Sequence, residues 1–247
     1  TGGYAVAAGV IAVMVGMPYG PALGIAAALL LGAMSGGIFL IFHSLRVLTD
    51  AMLIVLATFA LMLGIESAAL TFVGTTTLFL DPIEGHVEIG NVLLQYQGLF
   101  NFAVSSLLMV GLALVLKFSP IGLRMRACAV SDKSARLAGI PVRQTQFWTF
   151  VVAAGLAGTA GVLAVLSIGI TYSSAFTLTT AAFSGVVLLG RAGPLPAFVG
   201  ALMLGVVQSI GEAYLPNGWA AGLPSLLIIL VLASGIIPMS VFKGVRP

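Results

Sequence analysis

KFSPIGLRMRACAVSDKSARLAGIPVRQTQ, from Lys117 to Gln146, holds Lys117, Arg124, Arg126, Lys133, Arg136 and Arg143, six of the ten basic residues of the 247-residue chain. Asp132 is its one acid. On either side lie the apolar runs Gly98–Leu116 and Phe147–Ile170, each close to the ~20 apolar residues a spanning helix needs. A basic island between two such runs is the signature of a cytoplasmic loop, because clustered Lys and Arg are disfavoured for translocation.

The rest of the composition agrees. Hydrophobic residues make up 60% and charged residues 7%, and mean hydropathy is +1.19. A soluble domain carries about a quarter charged residues, so this chain cannot cover a water-facing surface. The 31 glycines suit close helix approach in a bilayer. No aromatic-interleaved basic face points to nucleic acid. One cysteine, Cys128, excludes an internal disulfide and any multi-cysteine metal site. The chain opens on Thr1-Gly2-Gly3 with no Met and no cleavable leader, so the numbered chain is expected to lack its natural N-terminus and at least one upstream helix.

An all-α polytopic membrane fold of about eight transmembrane segments follows. The candidates are Tyr4–Met17, Pro21–Phe42, Ala51–Val73, Gly98–Leu116, Phe147–Ile170, Thr180–Gly190, Ala197–Gly211 and Leu223–Phe242. The segments 4–17, 180–190 and 197–211 are short enough to be broken or re-entrant, which is tolerated where free backbone ends are buried in protein or line a cavity. The stretch Gly74–Gln97 carries Asp81, Glu84 and Glu88 but no Lys or Arg. Arg46, the 117–146 loop, Arg191, Lys243 and Arg246 fall in the alternate connections, so eight crossings with both ends inside satisfy every loop. The whole, 1–247, reads as one transmembrane domain. A weak repeat at an offset of 173 links Gly20-Pro21 and Ala28–Gly32 to Gly193-Pro194 and Ala201–Gly205. The two copies would run antiparallel, as in inverted-repeat transporters.

Within the basic loop, Ser131 is placed to N-cap a helix and Asp132 lies at its positive end. Gly139 suits a left-handed C-cap and Pro141 stops continuation. The spacing predicts a helix of about two turns, with Asp132 and Arg136 paired at i, i+4.

Here the sequence meets a family. P-I-G-L-R-M-R-A-C-A-V-S-D-K-S-A-R-L-A-G-I-P-V resembles the coupling segment of branched-chain amino-acid ABC transporter permeases, approximately G-x-x-x-R-A-x-A-x-D-x-x-A-A-x-x-x-G-I. Gly122, Arg126, Ala127, Ala129, Asp132, Ala135, Gly139 and Ile140 carry the match. Thr149–Leu163 looks like the family's glycine-rich helix, and T-G-G-Y-A-V-A-A is similar to its G-A-Y segment. Leu188–Pro196, L-L-G-R-A-G-P-L-P, is closer to the nucleoside permeases of the same superfamily.

The resemblance implies a pore subunit of a bacterial or archaeal cell (inner) membrane that does no covalent chemistry and holds no cofactor. It implies ABC ATPase subunits inside, a second permease subunit, homo- or heterodimeric, and a periplasmic or extracellular solute-binding protein. Loop 117–146 would couple them, through Arg126, Asp132, Lys133, Arg136 and Gly139. The solute would be a branched-chain amino acid or a related small polar molecule, alternatively a nucleoside or sugar. A stand-alone channel or ion-coupled carrier is the reading from a different class; it calls for an intramembrane ionisable pair, and the chain offers mainly Glu66. The chain has no G-x-x-x-x-G-K-[S/T] phosphate loop of its own. Glu66, Thr179, Thr180 and Gln208 are the expected path-lining residues, with Thr177, Thr179 and Thr180 placed just before a short helix whose N–H groups could meet an anionic group.

Overall fold

A computed structural model describes residues 2–16, 19–44, 51–80, 85–89, 92–189 and 193–214, with 222, 223, 225, 226, 229 and 230 near the end. The elements are α1 (Gly2–Val15), α2 (Gly20–Ser44), α3 (Ala51–Val73), β1 (His86–Ile89), β2 (Val92–Gln95), α4 (Tyr96–Phe118), α5 (Pro120–Val130), α6 (Asp132–Leu137), α7 (Val142–Ser167), α8 (Ser174–Leu189) and α9 (Pro194–Tyr214). The expected all-α fold is observed, with one short addition in the stretch 74–97. There β1 and β2 pair antiparallel, with His86 opposite Gln95 and Ile89 opposite Val92.

Among the described residues, five helices are long and apolar enough to cross a bilayer: Gly20–Ile38, Leu56–Val73, Tyr96–Phe118, Val142–Ser167 and Pro194–Tyr214. Gly2–Val15 and Ser174–Leu189 are shorter apolar helices. Most of the candidate Leu223–Phe242 lies outside the described residues, so the described helices do not reach the expected count of eight. Both copies of the Gly-Pro run open a long apolar helix, α2 and α9.

Among the boundaries that differ from expectation are the starts of two of the short segments. Helix α8 begins at Ser174 rather than Thr180. The Thr171 backbone N–H donates to the Ser174 hydroxyl at 3.0 Å, and Ser174 N–H donates to the Thr171 carbonyl at 3.1 Å. These local bonds turn the chain earlier than the apolar pattern alone suggests. Helix α9 begins at Pro194, whose fixed φ suits a first helical turn.

The chain forms two units, 1–176 and 177–247. In the first, α1 packs against α2, α3 and α7. One apolar cluster joins Val6, Val10, Met62, Val165 and Ile170; another joins Tyr4, Ala8, Ala12, Ala28, Ala154 and Ala157. Small residues allow this. A Cβ on Gly161 would lie 2.0 Å from the Ala5 carbonyl oxygen, and one on Gly24 would lie 2.3 Å from that of Ala8. Helix α1 therefore touches α7 and α2 backbone to backbone, the close approach that membrane helices use in place of a hydrophobic driving force. The Tyr4 hydroxyl hydrogen-bonds the Ser35 hydroxyl, which donates to the Gly32 carbonyl at 3.0 Å, tying α1 to α2. Beyond α7, Leu78 and Ile170 exchange two backbone bonds of 2.9 Å. In the second unit Gly185 and Gly200 bring α8 and α9 together; a Cβ on Gly200 would sit 2.5 Å from the Gly185 carbonyl oxygen.

Gly161→Val should force α1 and α7 apart and destabilise the protein by about 1–3 kcal/mol, the range for overpacking. Gly64→Ala, with nothing within 4 Å of its new methyl, should be tolerated. Thermal unfolding in mild detergent compares the two, and equal midpoints would refute the backbone contact.

Candidate coupling site

The basic segment is two capped helices joined by a single residue. Ser119 ends α4 and starts α5. Its N–H donates to the Val115 carbonyl at 3.0 Å, and its hydroxyl accepts from the Ile121 N–H at 3.3 Å. Pro120 takes the first helical position. Gly122 permits the sharp fold back on α4, since a Cβ there would meet the Val115 carbonyl oxygen at 2.4 Å. Arg126 donates to the Lys117 carbonyl at 3.4 Å, placing a cation at the negative end of α4. Helix α5 was not foreseen as a separate element, although Ser119-Pro120 is a good N-cap followed by a good first residue.

Ser131 then ends α5 and caps α6. Its N–H donates to Ala127, and its hydroxyl accepts from the Ser134 N–H at 3.3 Å. Helix α6 is six residues, Asp132–Leu137, close to the two turns expected. Gly139 has φ +76°. Its N–H donates to Arg136 and that of Ile140 to Ala135, both at 3.0 Å. This is the two-bond Schellman ending, and it needs a left-handed residue at Gly139. Pro141 starts α7, accepting from the Thr145 N–H at 3.1 Å and the Thr145 hydroxyl at 3.2 Å.

Helix α6 is thus fixed at both ends. Ala135 (3% exposed) turns inward, as do Val142 and Thr145 at the start of α7. Its outer side presents Arg136 and Leu137, the latter 90% exposed, and Val130, at the end of α5, is 88% exposed. The expected Asp132–Arg136 pair involves an Asp132 side chain outside the described residues, as is that of Lys133. Cys128 is a half-buried free thiol in α5.

The expected path residues fall in different places. Glu66 Oε1 accepts from the Phe176 N–H at 3.3 Å, so this α3 carboxylate sits at the positive first turn of α8. Thr177, Thr179 and Thr180 lie inside α8 rather than before it, because the helix starts at Ser174. Their own N–H groups are therefore not a free helix start. The Thr180 carbonyl accepts from the Ser184 hydroxyl at 2.7 Å, and Gln208 donates to Glu212 at 3.2 Å along α9. Among the described residues, no three His, Cys, Asp or Glu are grouped to hold a metal.

A polar network escaped the sequence reading. Gln97, 4% exposed, donates to Asn101 Oδ1 at 2.9 Å. Asn101 Nδ2 in turn reaches the Leu163 carbonyl at 3.4 Å and the Ser167 hydroxyl, joining α4 to α7. The i, i+4 spacing of Gln97 and Asn101 in an apolar run was the available signal.

Residues 1–232 match the family described as branched-chain amino acid transport system / permease component. The chain belongs to this family. Its long apolar helices fit a multi-pass membrane component of such a transport system. The high-affinity branched-chain amino acid transport system permease protein BraD of Pseudomonas aeruginosa is 33% identical over 150 residues, 60% of this chain and 48% of the relative. The corresponding Escherichia coli protein, LivH, is 32% identical over 152 residues, 61% of this chain and 49% of its own. The probable LivH of Methanocaldococcus jannaschii is 25% identical over 169 residues, 65% of this chain and 54% of its own. The chain spans about half the length of the curated relatives it matches. No solved structure matches it.

Asn101→Leu removes the bonds from α4 to α7 and should cost about 0.6–2 kcal/mol, the range for interhelical hydrogen bonds in membranes. A lowered unfolding midpoint in detergent, with Gln97→Leu non-additive to it, is the expected result.

Proposed function

We propose that this permease is the membrane-spanning subunit of an ABC importer, carrying branched-chain amino acids or a related small polar solute across a bacterial or archaeal cell membrane. Separate ATPase subunits drive it from inside, a second permease subunit completes the pore, and a solute-binding protein delivers ligand from outside. Family membership and the printed functions of BraD and LivH support this reading.

The observation that carries it is the form of α6. A helix of six residues has no stability of its own in water. This one is held by the Ser131 cap, the Gly139 ending and the buried Ala135, yet it turns Arg136 and Leu137 outward. A rigid knob with a basic and an apolar side chain fits a groove on a soluble partner. Because α5 is bonded to the end of α4 and Pro141 leads into α7, movement of the knob is passed to two spanning helices. Arg126 serves by bracing α5 on α4; Asp132, Lys133 and Arg136 supply charge; Gly139 supplies the turn.

The test is affinity purification of the full-length protein from native membranes in mild detergent, with uptake assayed in parallel. ATPase subunits should co-purify with the wild type. Arg136→Glu and Gly139→Pro should lose them and lose ATP-driven uptake while inserting normally. Unchanged uptake in both variants would sink the coupling role. A protein that purifies alone and moves solute in liposomes without ATP would instead be a carrier or channel. Co-purification of a binding protein that holds a nucleoside, as the Leu188–Pro196 sequence allows, would change the solute but not the mechanism.

A further inference from the structure

Between α1, α3 and α7 lies a cavity of about 130 Å³. Leu61, Met62 and Phe150 form apolar walls, Gly3 and Ala153 leave the space open, and Thr58 adds one hydroxyl. Among the described residues, no charged side chain lines it. An apolar cavity of ~150 Å³ stays dry in a soluble protein and takes a benzene-sized guest. This one has room for a branched alkyl group of about four to six carbons on the same scale. Met62 is midway along α3, so the cavity lies where transporters place their solute sites.

The polar end of a guest is also provided for. Glu66 follows Met62 by four residues, on the same face of α3 and ~5–6 Å further along. Its carboxylate accepts a bond of 3.3 Å from the Phe176 N–H. An ammonium group is a stronger partner for a carboxylate than a neutral amide N–H. We propose that the cavity and Glu66 together form a solute site, in which a branched alkyl side chain fills the cavity and the α-ammonium of the same amino acid pairs with Glu66. This rests on the importer reading above and assigns that reading a place in the fold. A lipid tail is the other apolar guest at this depth, but it carries no ammonium for Glu66.

The test uses the full-length protein with its ATPase and binding protein in proteoliposomes, measuring ATP-driven uptake of alanine, leucine and phenylalanine. Ala153→Leu fills the cavity and should lower the leucine-to-alanine uptake ratio about 10-fold or more, the effect of a lost apolar fit in a pocket. Leu61→Ala enlarges it and should shift the ratio toward phenylalanine, which keeps the test decisive if the first variant does not fold. Glu66→Gln retains an oxygen for the Phe176 N–H but loses the charge, and should raise the KM for all three amino acids about 10-fold or more. Ratios unmoved by both cavity variants, or an unchanged KM in Glu66→Gln, would overturn the site while leaving the importer intact. A lipid guest would leave the ratios unmoved in this way. Absence of ATP-driven uptake by the wild type would instead overturn the importer reading itself.

Discussion

The contact on which the first unit depends is the backbone approach of α1 to α7 and α2. Lipid tails are as apolar as leucine, so burial gives little reason for helices to associate in a bilayer. Dispersion has to do it, and it falls steeply with distance. Gly161 against Ala5 and Gly24 against Ala8 bring main chains within reach of each other. Larger side chains at those points would hold the helices apart. With α1 seated, Tyr4 reaches Ser35 and the clusters around Val6 and Ala8 close. The cavity beside α3 survives this packing because two further small residues, Gly3 and Ala153, line it.

The segment proposed for coupling follows a different physics. Outside the bilayer, short helices must be held by caps rather than by length. Ser119, Ser131 and Gly139 satisfy the ends of α5 and α6 by local bonds, each within five residues. Local bonds of this kind fix shape without a large core. That suits the rigid knob proposed for α6.

This division explains what the sequence disclosed. The spanning helices were legible because apolar length is imposed by the bilayer, and α6 because Ser131, Gly139 and Pro141 act on neighbours. Helix α5 was missed although its signal, Ser119-Pro120, was equally local; it was absorbed into a loop defined by charge. The early start of α8 rests on the pairing of Thr171 with Ser174, where two hydroxyls compete with a pattern of apolar residues. The Glu66 contact could not be read at all. It joins residues 110 apart, and nothing in the spacing of either strand of sequence marks the other. The same is true of Asn101 and Ser167, which meet only because α4 and α7 pack.

The position of Glu66 brings the two physics together. A carboxylate within an apolar helix is costly unless it finds a partner, and here it finds the first turn of a helix that begins in a polar turn, Thr171–Ser174. A neutral N–H at 3.3 Å is a modest partner for a full negative charge. A bond of that strength holds a resting arrangement while remaining exchangeable for a better one. Helix packing by glycine sets where the carboxylate stands, and the weakness of its present bond leaves it able to respond to an arriving cation. The glycine seam and the capped helices α5 and α6 are held by close packing and local bonds, whereas this exchangeable bond is made by one side chain of α3.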